Sequence, residues 1–253
     1  MTDTVTYVYA VARAADDPAV AGLEGVDGAS VRTIVSGDLQ AVVSDAGRAE
    51  FEERALAEQL EDLAWLTATA RAHHHVVDAV GHRCLVAPLS LATVYWSDDR
   101  VREVLDAGRA TFGSILDQLA GRSEWGVKAW VRARSAAADG GRAASGADYL
   151  RRRRDTLRRS EAAADEARAE GDALHEAVAA LGVADRRLRL QDAALSETTE
   201  QMVLNGAYLV PQENVDELRA LVGARVDHER LRVELTGPWV PYSFAQGAPG
   251  TVA

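Results

Sequence analysis

The sequence predicts an α+β protein of two domains, each a small β-sheet packed with helices. The second is expected to be ferredoxin-like and to carry a long helix that projects or folds back as a helical hairpin. Three observations predict this. Short β-rich runs and amphipathic helical patterns follow one another along the whole chain of 253 residues. A stretch of small residues at 135–147, S-A-A-A-D-G-G-R-A-A-S-G-A, reads as a linker. Beyond it the patterns run helix, strand, strand, helix, strand, the succession of a two-layer unit with a modified start. The expected organisation is therefore 1–134, linker 135–147, 148–236, and an aromatic tail 237–253.

The elements can be justified in order. Thr4 to Ala12 sets Val5, Tyr7, Tyr9 and Val11 against Val8, Ala10 and Ala12, so both faces are apolar, as in an interior strand. Residues 16–30 are rich in Gly, Asp and Ala and read as loop. Val31 to Val35 and Leu39 to Ser44 form a hairpin about Ser36-Gly37-Asp38. One helix is predicted from about Glu50 to Val80, with Leu56, Leu60, Leu63, Ala70 and Val77 on the apolar stripe beside Thr67 and His74. Cys84 to Tyr95 is β-like, with Pro88 marking an edge or bulge. Ser97 caps the next helix, and Asp98 and Asp99 place negative charge in its first turn. Its stripe is Val101, Val104, Leu105, Gly108, Phe112, Ile115 and Leu119, and Gly121 closes it. Glu124 to Arg132 alternates as a half-exposed strand.

Residues 148–181 contain no proline and are dominated by Ala, Arg, Glu and Asp, which suits a long helix. Its heptad seam takes Leu150, Leu157, Ala164, Gly171 and Val178 at one position and Arg153, Ser160, Ala167, Leu174 and Leu181 at the other. A helix of this length is ~50 Å long, too long for one small sheet to cover. The rest reads as strands over Arg187–Gln191 and Met202–Pro211, a helix over Asn214–Val222 and a closing strand from Leu231. Gly237-Pro238 is expected to stop that strand, because proline has no N–H to donate. Trp239, Pro241, Tyr242 and Phe244 then form a stiff aromatic segment, suited to closing a core or clasping a groove.

Composition narrows the function. Hydrophobic residues make up 47% and charged residues 26%, ordinary globular values, and the net charge is −11. That acidity argues against a nucleic-acid groove, which needs clustered cations. The lone Cys84 leaves no internal disulfide to form and suits a reducing interior. No secretory signal pattern and no apolar run of membrane-spanning length is visible, so the expected location is cytoplasmic, with no lipid membrane partner.

Chemistry-bearing motifs are sparse. His73, His74 and His75 are consecutive and point three ways on a helix. His74, Asp78 and His82 would form a ligand stripe if the helix ran past Gly81, but zinc needs further ligands and no other Cys/His pair has metal spacing. The reading is therefore no metal and no cofactor, with His74 half-buried and His73 and His75 solvated. Nucleophile elbows, P-loops and dinucleotide fingerprints are absent. Arg151 to Arg154 with Arg158 and Arg159 put six cations in nine residues, a cuff that is either a solvated face or a dock for an acidic partner. The candidate partner contacts are Arg151, Arg152, Arg154 and Arg158 on the helix and Trp239 and Tyr242 in the tail.

Several stretches in order resemble one family. They are T-V-T-Y-V-Y-A-V-A at 4–12, Leu60 to Val77 with its A-H-H-H-V-V, P-L-S-L-A-T-V-Y-W-S-D-D-R-V-R-E-V-L at 88–105 and E-W-G-V-K-A-W-V at 124–131. Tyr149-Leu150 before the arginines, M-V-L-N-G-A-Y-L-V-P at 202–211 and L-T-G-P-W-V-P-Y-S-F at 235–244 complete the set. Together they are similar to the gas vesicle protein F/L family. Ser90-Leu91-Ala92 departs from the Arg-Phe-Gly expected in many relatives. The resemblance implies a non-enzymatic accessory of gas vesicle assembly that binds the hydrophobic shell protein during nucleation, with other vesicle accessories as further partners. The competing class is a metal- or small-molecule-binding enzyme or sensor, which a deep polar pocket would favour.

Overall fold

The structure is a computed structural model that describes residues 4–132, 146–191, 200–225 and 230–245. The chain divides into two compact units, one of residues 1–123 with 239–253 and one of residues 124–238.

In the first unit, β1 (Thr4–Arg13) is buried on both faces at the centre of a five-stranded sheet. β2 (Arg32–Ser36) and β3 (Leu39–Gly47) form the expected antiparallel hairpin, in which Ser36 opposite Leu39 closes a two-residue turn. Gly37 takes the first turn position at φ 60°, where a Cβ would be strained and glycine suits the twist of the flanking strands. β3 pairs with one edge of β1. β4 (Val86–Pro88) and β5 (Val94–Tyr95) share the other edge. A register shift in β1 between Val8 and Ala10 accompanies this divided pairing.

The helical stretch read as continuous from Glu50 is three helices: α1 (Arg48–Phe51), α2 (Glu53–Gln59) and α3 (Leu63–Gly81). Asp62 restarts the helix by accepting the N–H groups of Ala64 and Trp65 at 2.8 and 3.3 Å. The break also resets the phase. Thr69, His73, Val76, Val77 and Val80 are the buried face, whereas Leu63 is 77% exposed. Of the expected stripe Val77 is buried, but Thr67 and His74 are exposed and Thr69 and His73 take the interior instead.

α4 (Asp98–Ala107) begins at the Ser97 cap as expected. Gly108 separates it from α5 (Arg109–Leu119), and the predicted apolar stripe is carried across both helices. Asp98 does more than favour the helix dipole. It accepts hydrogen bonds from Thr6 Oγ1 and Arg32, tying α4 to the sheet. Burial alone would raise its carboxyl, but these bonds outweigh that and hold it below the usual carboxylate range.

In the second unit the elements run β6 (Arg122–Val131), α6 (Gly146–Ala179), β7 (Ala184–Arg187), β8 (Met202–Pro211), α7 (Val215–Gly223) and β9 (Leu231–Trp239). The sheet order is β7-β8-β6-β9, so β8 lies between β6 and β7. Strand β6, assigned to the first domain from sequence, is instead hydrogen-bonded into this sheet. It supplies the start that the helix–strand–strand–helix–strand reading lacked. The core joins Trp125, Val127 and Ala129 of β6, Ala167, Leu174 and Val178 of α6, and Leu204, Tyr208 and Val210 of β8.

Three local expectations change. The strand read at 187–191 is instead Ala184–Arg187, sharing only Arg187 with the expectation, and its Ala184 pairs with Leu209. Residues 184–187 are thus strand rather than the second arm of a helical hairpin, while 192–199 lie outside the described residues. β9 also runs through Gly237-Pro238 to Trp239. Of the expected linker, 135–145 lies outside the described residues and Gly146-Ala147 opens α6.

Candidate partner-contact site

The six candidate contact residues fall into two groups, one in each unit. In the first unit, the chain from Trp239 onward sets Trp239 and Tyr242 against the histidines of α3. Val240 and Tyr242 join the core formed by β1, β3 and α3, and Phe244 is buried. Gly81, the last residue of α3, admits this segment closely, since a Cβ there would meet Val240 Cγ2 at 2.4 Å. The Trp239 ring lies 6.4 Å from that of His74 and the Tyr242 ring 6.3 Å from it, so His74 sits against both candidate aromatics. Trp239 remains 46% exposed. Tyr242 is half-buried, and its buried hydroxyl has no hydrogen-bond partner among the described residues.

Beneath this segment lies the group that sequence reasoning misplaced. His73 is buried among Tyr7, Tyr9 and Tyr242, at ring separations of 5.7, 5.5 and 6.1 Å. Burial pushes its imidazole down to about 4, an effect the Leu89 carbonyl offsets only in part and the neighbouring His74 reinforces. Among the described residues no group meets full hydrogen-bond geometry with its Nε2, so the Leu89 carbonyl acts on the ring only weakly. Burial likewise pushes the Tyr7 and Tyr242 hydroxyls above their usual range. Neutral imidazole and protonated phenols make this a packing and hydrogen-bonding cluster. The i, i+4, i+7, i+11 spacing of Thr69, His73, Val76 and Val80 was the signal for it, legible once α3 is started at Asp62.

The ligand stripe His74, Asp78, His82 does not assemble. His74 faces the aromatics, while His82 Nδ1 sits 2.7 Å from the Asp78 carbonyl oxygen at the end of α3. Among the described residues no group of three or more His, Cys, Asp or Glu could hold a metal ion. No helix among them is long and apolar enough to cross a membrane.

In the second unit the arginine group lies on α6. Arg151, Arg154 and Arg158 are exposed, and the side chain of Arg152 lies outside the described residues. The two halves of this helix differ. The C-terminal half buries Ala167, Gly171, Leu174 and Val178 against the sheet, and a Cβ at Gly171 would stand 3.3 Å from Val203 Cγ2. Ion pairs fasten it: Asp172 with Arg187 at 2.6 Å and Glu170 with Arg230 at 2.5 Å. His175 adds a bridge, its Nδ1 2.8 Å from the Tyr208 hydroxyl and its Nε2 3.3 Å from Asp185. On the N-terminal half the same seam carries Leu150 and Leu157, which are 62% and 56% exposed. The arginines flank that uncovered portion.

Residues 5–246 match the family model described as gas vesicle synthesis protein GvpL/GvpF. The chain belongs to this family. A GvpL/GvpF member from Streptomyces sp. (strain CB03234), gas vesicle protein L, is 40% identical over 96% of this chain and 94% of its own length. Gas vesicle protein F of Haloferax mediterranei is 25% identical over 88% of this chain and 85% of its own. The fold is similar to the crystal structure of the gas vesicle protein GvpF from Anabaena sp. PCC7120, with a TM-score of 0.65 at 21% identity and 99% of each chain covered. The Microcystis aeruginosa GvpF structure matches with a TM-score of 0.63 at 18% identity, covering 96% of this chain and 99% of that one. These similarities establish the α+β architecture of two helix-packed sheets as that of the GvpF structures.

Proposed function

We propose that this GvpL/GvpF member is a non-catalytic accessory of gas vesicle assembly that binds the hydrophobic shell protein and keeps it from aggregating until it is incorporated. The observation that carries the reading is the family match across 5–246, which embraces both units. Physical chemistry supplies the reason such an accessory is needed. A subunit that lines a gas space exposes apolar surface before assembly, and unpaired apolar surface aggregates. A chain of net charge −11 would lend that subunit solubility while covering its sticky face. The proposed contacts are Arg151, Arg152, Arg154 and Arg158 with Trp239, whose indole is available at the surface, and Tyr242, which holds the tail in place. The chain acts in the cytoplasm and at the growing vesicle, with other vesicle accessories as additional partners.

Co-expression tests this directly. With the chain present, shell protein is expected to move from the pellet to the soluble fraction and to co-elute with it in size-exclusion chromatography. Crosslinking with mass spectrometry on that complex would then locate the contact. Absence of both the complex and the gain in soluble shell protein would defeat the proposal.

A further inference from the structure

The seam of α6 is covered for only half its length. From Ala167 to Val178 it is buried on the sheet, and the same line of residues continues N-terminally as Leu150 and Leu157, seven residues apart and both more than half exposed. Two leucines at that spacing lie on one face, about 10 Å apart along the axis. Around them Arg153, Arg154 and Arg158 are exposed. On a helical wheel of ~100° per residue, Arg153 falls to one side of the leucine line and Arg154 and Arg158 to the other.

We infer that the N-terminal half of α6 is a docking seam for an amphipathic helix of another protein whose apolar stripe is flanked by aspartate and glutamate. Charge selects this occupant. A second copy of α6 laid on the seam, leucines to leucines, would set arginine against arginine in either orientation. An acidic-flanked helix instead neutralises both borders and adds its own apolar residues to Leu150 and Leu157. It also relieves the repulsion between Arg154 and Arg158, like charges four apart on one helix face. This assignment does not depend on the shell protein being the occupant.

The test uses the full chain and two synthetic helical peptides of about four heptads with leucine at both seam positions. One carries glutamate on its flanks and the other lysine. The glutamate peptide should bind at least tenfold more tightly, slow amide exchange over residues 150–160, and lose at least tenfold in affinity between low salt and ~1 M salt. Leu157→Glu should weaken that binding at least tenfold without moving the thermal midpoint. Equal binding of the two peptides, binding of neither, or binding indifferent to Leu157→Glu would overturn the inference. So would a dimer of the free chain that Leu157→Glu dissociates, because a second copy would then be the occupant. Soluble shell protein in co-expression is scored separately, so its retention with Leu157→Glu would leave the assembly reading standing while the peptides decide the seam.

Discussion

The Tyr7 hydroxyl stands 3.0 Å from Nδ1 of His73 while accepting the Ala92 N–H at 2.9 Å. The Tyr7 hydroxyl and Nδ1 share one hydrogen bond whose donor is set by the tautomer of the ring. Burial keeps that ring neutral. The bond links β1 to α3, and the Ala92 N–H ties the loop between β4 and β5 to the same hydroxyl.

Acid should therefore loosen the first unit through His73. Its folded-state value of about 4 lies below the ordinary 6.5, so the unfolded chain binds the proton more readily. The stabilisation is fully present above about pH 6.5 and is lost as the pH falls toward about 4, a change of order 3 kcal/mol. Urea denaturation of wild type and His73→Gln at pH 7 and pH 4 separates this group from the carboxylates. The stability advantage of wild type should shrink by that order, and an unchanged difference would refute the assignment.

Ala92 occupies φ 62°, a left-handed conformation that costs alanine but not glycine. It is the third residue of the Ser90-Leu91-Ala92 departure, where relatives are expected to carry glycine. Ala92→Gly keeps the N–H that serves Tyr7 and removes the strain. A net gain of about 0.5–1 kcal/mol is expected after the added freedom of the unfolded chain is counted. A urea midpoint that stays put or falls would show that the position is not strained.

Gly237 should tolerate no side chain. Its φ is 123°, and a Cβ would stand 2.9 Å from the Glu124 carbonyl oxygen and 3.1 Å from the Trp125 ring. Backbone and an indole both resist displacement, so Gly237→Ala is expected to cost about 2–4 kcal/mol. Thermal and urea unfolding check this, and a loss under ~0.5 kcal/mol would contradict the close passage of β9 over β6.

Much of the fold was legible where the signal is local. The strand read at Met202–Pro211 matches β8 at both ends, and Ser97 caps α4 through its own hydroxyl. The arginine helix was readable in length, but its exposed and buried halves were not, because Leu150 and Val178 share one seam position and differ only in whether a sheet reaches them. His74 was favoured over His73 because a helix assumed unbroken from Glu50 carries the wrong phase past Asp62. At ~100° per residue, a small slip at a break turns a buried position outward.

By itself the sequence determined the kinds of element and most of their ends, since caps, turns and periodicity act over a few residues and need no partner. Only the tertiary structure decided that β6 joins the second sheet, that the tail packs with the first unit, and which histidine is buried. Those outcomes rest on pairings between residues far apart in the chain, such as Val131 with Gln201 and Arg132 with Arg230. Nothing in a strand's own residues names its neighbour; the free energy of burying two apolar faces together does.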